Sequence, residues 1–224
     1  MRDELVSSGY RVTTFEHRPS EFDWQSVVAC VTKFVKLRAE PVSLVGWSQG
    51  AVIGQEVTLA AGEQVCSAVL LAPYGRQNEI DKMLQQAWDS LAEQGADSVR
   101  AVLGLLTAFP AGMLSEDAFV RSFMKSQPGW GNRPDADLRR RSSEFIASYQ
   151  NRLEALRGVK RPCLVMGFEL DSDTFALRAR EVANAIPRAE YLELAGLSHA
   201  APFTDPGSVW PPVVSFLREH HLVV

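Results

Sequence analysis

No apolar run in this chain is long enough to cross a bilayer. The opening residues, M-R-D-E-L-V-S-S-G-Y, also lack the basic-then-apolar form of a secretion signal, so neither export nor a membrane partner is expected. Cysteine is scarce. The three present (Cys30, Cys66, Cys163) are an odd number, each within an apolar run, which points to buried, reduced thiols and a cytoplasmic protein. Positive charge is not in excess either: the formal net charge of -4 gives no reason to expect nucleic acid. Asp135, Asp137 and Glu144 surround the one dense basic run, Arg139-Arg140-Arg141, which reads as a solvated helix face. There is no internal repeat and no low-complexity tract. What remains is 224 residues, 46% hydrophobic and 22% charged, enough for one domain with a sizeable core.

Within that chain one stretch stands out, Pro41 to Val52, P-V-S-L-V-G-W-S-Q-G-A-V. A short apolar run meets Gly46-Trp47-Ser48-Gln49-Gly50, and a helix-like pattern of small and apolar residues follows at once. This is G-x-S-x-G between a strand and a helix. The sharp turn strains the backbone at Ser48, lifts its hydroxyl above the sheet edge and aims the Gln49 amide at the same point. A Cβ at Gly46 or Gly50 is expected to crowd that turn. The competing reading, a phosphate-binding turn, lacks the usual glycine spacing and lysine.

Taken in order, Met1 to Ser8 reads as a helix stopped by Gly9, and Tyr10 to Phe15 as a strand rich in β-branched and aromatic residues. Asp23 is placed to cap an amphipathic helix that runs to Leu37. After the elbow, Cys66 to Ala72 is a second buried strand; strand and helix alternating in this way imply right-handed crossovers and a parallel sheet. The rhythm then breaks into helices: Glu79 to Gln94, Ala96 to Thr107, Glu116 to Ser126 and Asp135 to Leu156. It resumes with strands at Cys163 to Phe168 and Ala189 to Leu194, a helix from Thr174 to Ile186, and a last helix from Ser208 to His220. The expected organisation is therefore a core of residues 1–75 and 161–224, with 76–160 inserted as a helical lid.

A serine hydroxyl needs a base to take its proton. Of the four histidines, His17 lies in an early loop, and His220 and His221 end the last helix. His199, in Gly196-Leu197-Ser198-His199, sits just past the final strand, where a parallel sheet collects reacting groups. The carboxylate that would hold its imidazole is expected in Glu169-Leu170-Asp171-Ser172-Asp173, one short turn after a strand. Asp171 comes first; Asp173 competes, with a case of its own as a helix N-cap, and Glu169 trails.

With these residues in view the chain resembles the α/β-hydrolase superfamily: G-W-S-Q-G as nucleophile elbow, G-F-E-L-D as acid turn, and G-L-S-H followed by Ala201-Pro202-Phe203 as histidine loop. The likeness runs from Tyr10 to Leu217, and the turn after the acid is similar to members from actinobacterial specialised metabolism. The resemblance implies a mostly parallel sheet flanked by helices, with a helical lid. It further implies a serine-dependent hydrolase or acyltransferase with no metal or organic cofactor. One element departs from the family pattern. The strand and His-Gly type loop ahead of the first helix, which supply a second oxyanion amide, have no counterpart, because Met1 to Ser8 matches the helix after them. Either the chain begins upstream of Met1, or the remaining strands close the gap, or a second copy or partner chain fills it. Loss of one oxyanion donor costs about 3 to 4 kcal/mol in the transition state.

The first expectation is thus an esterase or thioesterase with Ser48 as nucleophile, His199 as base, Asp171 as orienter and Gln49 as oxyanion donor. Its substrate would be a medium to large, largely apolar acyl or polyketide-like small molecule, with Trp47, Phe109, Phe123 and Trp130 in its pocket. The alternative is a non-hydrolytic cyclase, lyase or isomerase that uses His199 for proton transfer. A non-catalytic binding protein is the third reading.

Overall fold

The computed structural model describes residues 1–15, 23–126, 144–172 and 174–220. Four parallel strands form one sheet among them, β1 (Val42–Trp47), β2 (Val65–Leu71), β3 (Cys163–Phe168) and β4 (Ala189–Leu194), in that spatial order. Every residue of β2 and β3 is buried. Such near-continuous apolar runs belong at the centre of a sheet covered on both faces. The outer strands, β1 and β4, are only partly buried.

Period-two alternation sorts the strand side chains between two cores. Val69, Leu71, Leu164, Met166 and Phe168 pack on one face against Leu5 of α1 (Arg2–Ser7) and against Val209, Trp210, Val213, Phe216 and Leu217 of the last helix. Ala68, Leu70, Cys163 and Val165 pack on the other, against Ala51 of α3 (Gln49–Ala61), Leu156, and Ala179 and Val182 of the helix before β4. Helix α2 (Trp24–Lys36) lies outside α3, with Trp24, Val27 and Val35 set against Val52, Ile53 and Val57. Its N-cap is Asp23, whose carboxylate accepts from the Ser26 amide at 2.7 Å. Gly9 ends α1 at φ +93°, a conformation glycine adopts without strain.

Between β2 and β3 run α4 (Glu79–Glu93), α5 (Asp97–Ala108), α6 (Ala111–Leu114) and α7 (Asp117–Ser126), then a helical turn at 144–147 and α8 (Leu153–Leu156). The chain ends with α9 (Phe175–Ala185), β4, α10 (Ala201–Thr204) and α11 (Pro206–His220). The neck of the block between β2 and β3 is tied. Gln55 Nε2 donates to the Tyr74 carbonyl at 2.9 Å and to Tyr149 Oη at 2.8 Å, and the Arg152 amide donates to the Gly75 carbonyl at 2.8 Å.

Three expectations are corrected. Tyr10 to Phe15 is not a strand, and it does not close against β1: the Tyr10 amide bonds back to Leu5 at 3.1 Å, while Tyr10 and Val12 pack on the core. A strand needs a neighbour to pair with, and the described sheet ends at β1, which pairs only with β2. Asp135 to Leu156 is not one helix. Its described part breaks at 148–152, where the Arg152 amide turns to Gly75 instead of its own helix. Cys30 is exposed on α2, whereas Cys66 and Cys163 are buried.

Candidate active site

Ser48 follows β1 directly and holds φ 54° and ψ -122° as the residue before α3. An L-residue tolerates that conformation only when the surroundings enforce it. Here the Ser48 amide is anchored to the Leu71 carbonyl of β2 at 2.8 Å, while its own carbonyl accepts from the Ala51 and Val52 amides. A Cβ on Gly46 would strike the Gly50 carbonyl and approach the Ala51 nitrogen to 2.7 Å. A Cβ on Gly50 would meet nothing within 4 Å, so only the first glycine is demanded by crowding, contrary to expectation. Gln49 opens α3, which puts its amide in the first turn beside Ser48.

His199 stands past β4 and reaches back over the sheet edge. Its Nε2 lies 3.1 Å from Ser48 Oγ, and its Nδ1 lies 2.8 Å from Asp171 Oδ2. The chemistry of the three groups assigns the protons: Nδ1–H donates to the carboxylate, which leaves Nε2 to accept from the serine hydroxyl. Both partners are withdrawn from water, with side-chain exposures of 8% for His199 and 1% for Asp171.

Several further contacts hold this line in place, two of them from Trp47 and Glu169, which the sequence had placed in the pocket and as a candidate acid. The Thr174 amide donates to Asp171 Oδ1 at 2.9 Å, and Thr174 Oγ1 stands 3.4 Å from His199 Nδ1. Trp47 Nε1 donates to the His199 carbonyl at 3.0 Å, with its ring 5.0 Å from the imidazole and 5.0 Å from Phe203. Ser198 Oγ and the Ala200 amide both donate to the Ala108 carbonyl at the end of α5, at 2.8 and 3.1 Å. Glu169 accepts from the Gly196 amide at 2.7 Å, at the start of the same loop. Except for the bond from Thr174 to Asp171, three residues apart, these contacts had no local signal, since each joins residues far apart in sequence.

Of the remaining sequence-predicted residues, Phe109 and Phe123 pack edge-on at 5.0 Å in an apolar cluster that also takes in Phe119 and Ala200, next to His199. Trp130 and Asp173 lie outside the described residues. The described part of the acid turn therefore brings Asp171 to the imidazole and sends Glu169 elsewhere. No group of three or more His, Cys, Asp or Glu that could hold a metal ion occurs among the described residues.

The sequence profile of the alpha/beta hydrolase family matches residues 4–210. A protein named as a non-heme bromoperoxidase, BpoC of Mycobacterium tuberculosis H37Rv, is 31% identical over 95% of this chain and 84% of its own. The crystal structure of BpoC superposes with a TM-score of 0.84 at 29% identity, covering 97% of this chain and 84% of that one. The enol-lactonase from Burkholderia xenovorans LB400 shares the fold, with a TM-score of 0.72 at 20% identity over 94% of this chain and 78% of that one.

Proposed function

Because this chain belongs to the alpha/beta hydrolase family, we propose that it is a serine hydrolase that cleaves an ester or thioester through an acyl-enzyme. The observation that carries the reading is the continuous line Ser48 Oγ, His199 Nε2, His199 Nδ1, Asp171 Oδ2, with gaps of 3.1 and 2.8 Å. As Ser48 Oγ attacks the acyl carbonyl, its proton passes to His199 Nε2, and Asp171 stabilises the imidazolium. The Gln49 amide faces the developing oxyanion, and the same proton then leaves with the alcohol or thiol. Water, deprotonated by His199, releases the acid and restores Ser48. The aromatic cluster of α5 and α7 beside Ala200 favours a largely apolar acyl group. It also supports reading the helices between β2 and β3 as a lid.

Labelling with a fluorophosphonate tests this directly: intact wild type is expected to be modified at Ser48. Ser48→Ala and His199→Ala are expected to lose roughly 10⁶-fold in kcat on an ester panel. Asp171→Asn should lose about 10⁴-fold. Folded protein that neither labels nor turns over an ester sinks the proposal. Activity that survives Ser48→Ala but not His199→Ala would instead support proton transfer without an acyl-enzyme.

A second reading rests on the relative named as a bromoperoxidase. Hydrogen peroxide can attack the same acyl-enzyme in place of water, which frees Ser48 and yields a peracid, and the peracid oxidises bromide to hypobromous acid. Bromination that requires peroxide, a carboxylic acid and an intact Ser48 would support it.

A further inference from the structure

A second concave site lies away from the serine, in a cleft of about 720 Å³ between α2, the far half of α3 and residues 148–152. That volume suits a small organic ligand. Its walls are apolar along Trp24, Val28, Leu59 and the ring of Tyr149. At its ends the balance of charge is positive. Lys33 and Lys36 make no ion pair among the described residues, and the Nη1 edge of Arg152 engages no described partner. The carboxylate on the wall, Glu56, is already committed: it takes Arg152 Nε and Nη2 at 3.0 to 3.2 Å and the Tyr149 hydroxyl at 2.8 Å.

Two further wall residues are incompletely satisfied. Trp24 and Thr32 are more than nine-tenths buried, yet among the described residues neither Trp24 Nε1 nor Thr32 Oγ1 has a hydrogen-bond partner. Gln55 Oε1, on the side chain that donates to Tyr149, is likewise unpartnered among the described residues. Two of the six such atoms among the described residues thus belong to residues that line this one cleft. Buried polar groups of this kind are costly, and native proteins leave few without a partner.

We propose that this cleft binds an amphipathic carboxylate, with its hydrocarbon body along Trp24, Val28 and Leu59 and its anionic head toward Lys33, Lys36 and the open edge of Arg152. Charge selects an anion, since Lys33, Lys36 and Arg152 line the cleft and, among the described residues, its one carboxylate, Glu56, is already engaged. The apolar wall selects a chain over an inorganic ion. This inference does not depend on the chemistry of Ser48.

Decanoate serves as probe and decanol as its uncharged counterpart. The five tryptophans give separate indole N–H signals in a nitrogen-15 spectrum, and Trp24→Phe and Trp47→Phe identify the two that matter. Decanoate is expected to move the Trp24 signal and leave the Trp47 signal, beside His199, in place. The double reversal Lys33→Glu, Lys36→Glu, at two exposed positions, should weaken that binding about tenfold, as should replacing decanoate with decanol. Ala60→Trp, at an exposed position on the wall, should block it by occupying the cleft. Movement of Trp47 alone, no response to decanoate, or equal affinity in the charge-reversed protein each overturns the proposal. None of these outcomes bears on fluorophosphonate labelling of Ser48, so the two ideas stand or fall separately.

Discussion

At Gly46 a single methyl group would meet the backbone of Gly50 and Ala51, while at Gly50 the same methyl points into open space. The two glycines of one motif therefore answer substitution in opposite directions. Gly46→Ala is expected to cost about 1 to 3 kcal/mol through overpacking. Gly50→Ala, within the first turn of α3, should be neutral or stabilising by up to about 1 kcal/mol. Urea midpoints of the two variants check the pair, and equal losses would refute it. The cysteines separate as clearly. Cys30 is exposed, and Cys163 is buried so deeply that its thiol is pushed up to about 12. A thiol reagent should modify one site in the folded protein and three after unfolding. The folded state holds the Cys163 proton above its ordinary 9.0, so this contribution is complete below 9.0 and is lost as pH rises toward about 12. Alkaline titration of stability reads that loss. Residue identities at the serine, histidine and acid positions could be found in the chain because each sits in a short local pattern. The indole bond from Trp47 to the His199 carbonyl could not, because it spans 152 positions and its acceptor is main chain.

Helices were legible wherever one face repeats every three to four residues, which is why α2, α4, α5, α7 and α9 lie within a residue or two of their expected bounds. Tyr10 to Phe15 has the residues of a strand but not the structure of one, because a ladder is a property of two segments and the composition of one cannot supply the other. Contacts between elements were the least visible. The end of α5 and the histidine loop share one acceptor, the Ala108 carbonyl, which takes both the Ser198 hydroxyl and the Ala200 amide. Ser198→Ala removes the first of these bonds, at an expected cost of about 1 kcal/mol. Amide exchange should rise together in the last turn of α5 and in residues 197–201. A rise confined to the loop would show that the two elements do not move as one.

Across the whole molecule, the parallel order of the four strands follows from alternating strand and helix, and the sequence pattern contains that alternation. What it does not contain is the closure of the neck. Gln55, Glu56, Tyr74, Gly75, Tyr149 and Arg152 converge there from three separate stretches of chain, bonded through a buried carboxylate, a phenol and two main-chain carbonyls. Burial, with Glu56 beside it, pushes the Tyr149 hydroxyl above the ordinary tyrosine range, and that hydroxyl donates to Glu56 at 2.8 Å. Because both stems of the helical block are fastened at the sheet, continuity of the chain through the block is not what keeps them together. A protease that nicks the exposed turn at Glu93 and Gln94, between α4 and α5, should leave two fragments that migrate as one particle under native conditions and separate only in denaturant. The molecule would then behave as a non-covalent heterodimer of its own halves, open to reassembly from separately produced pieces.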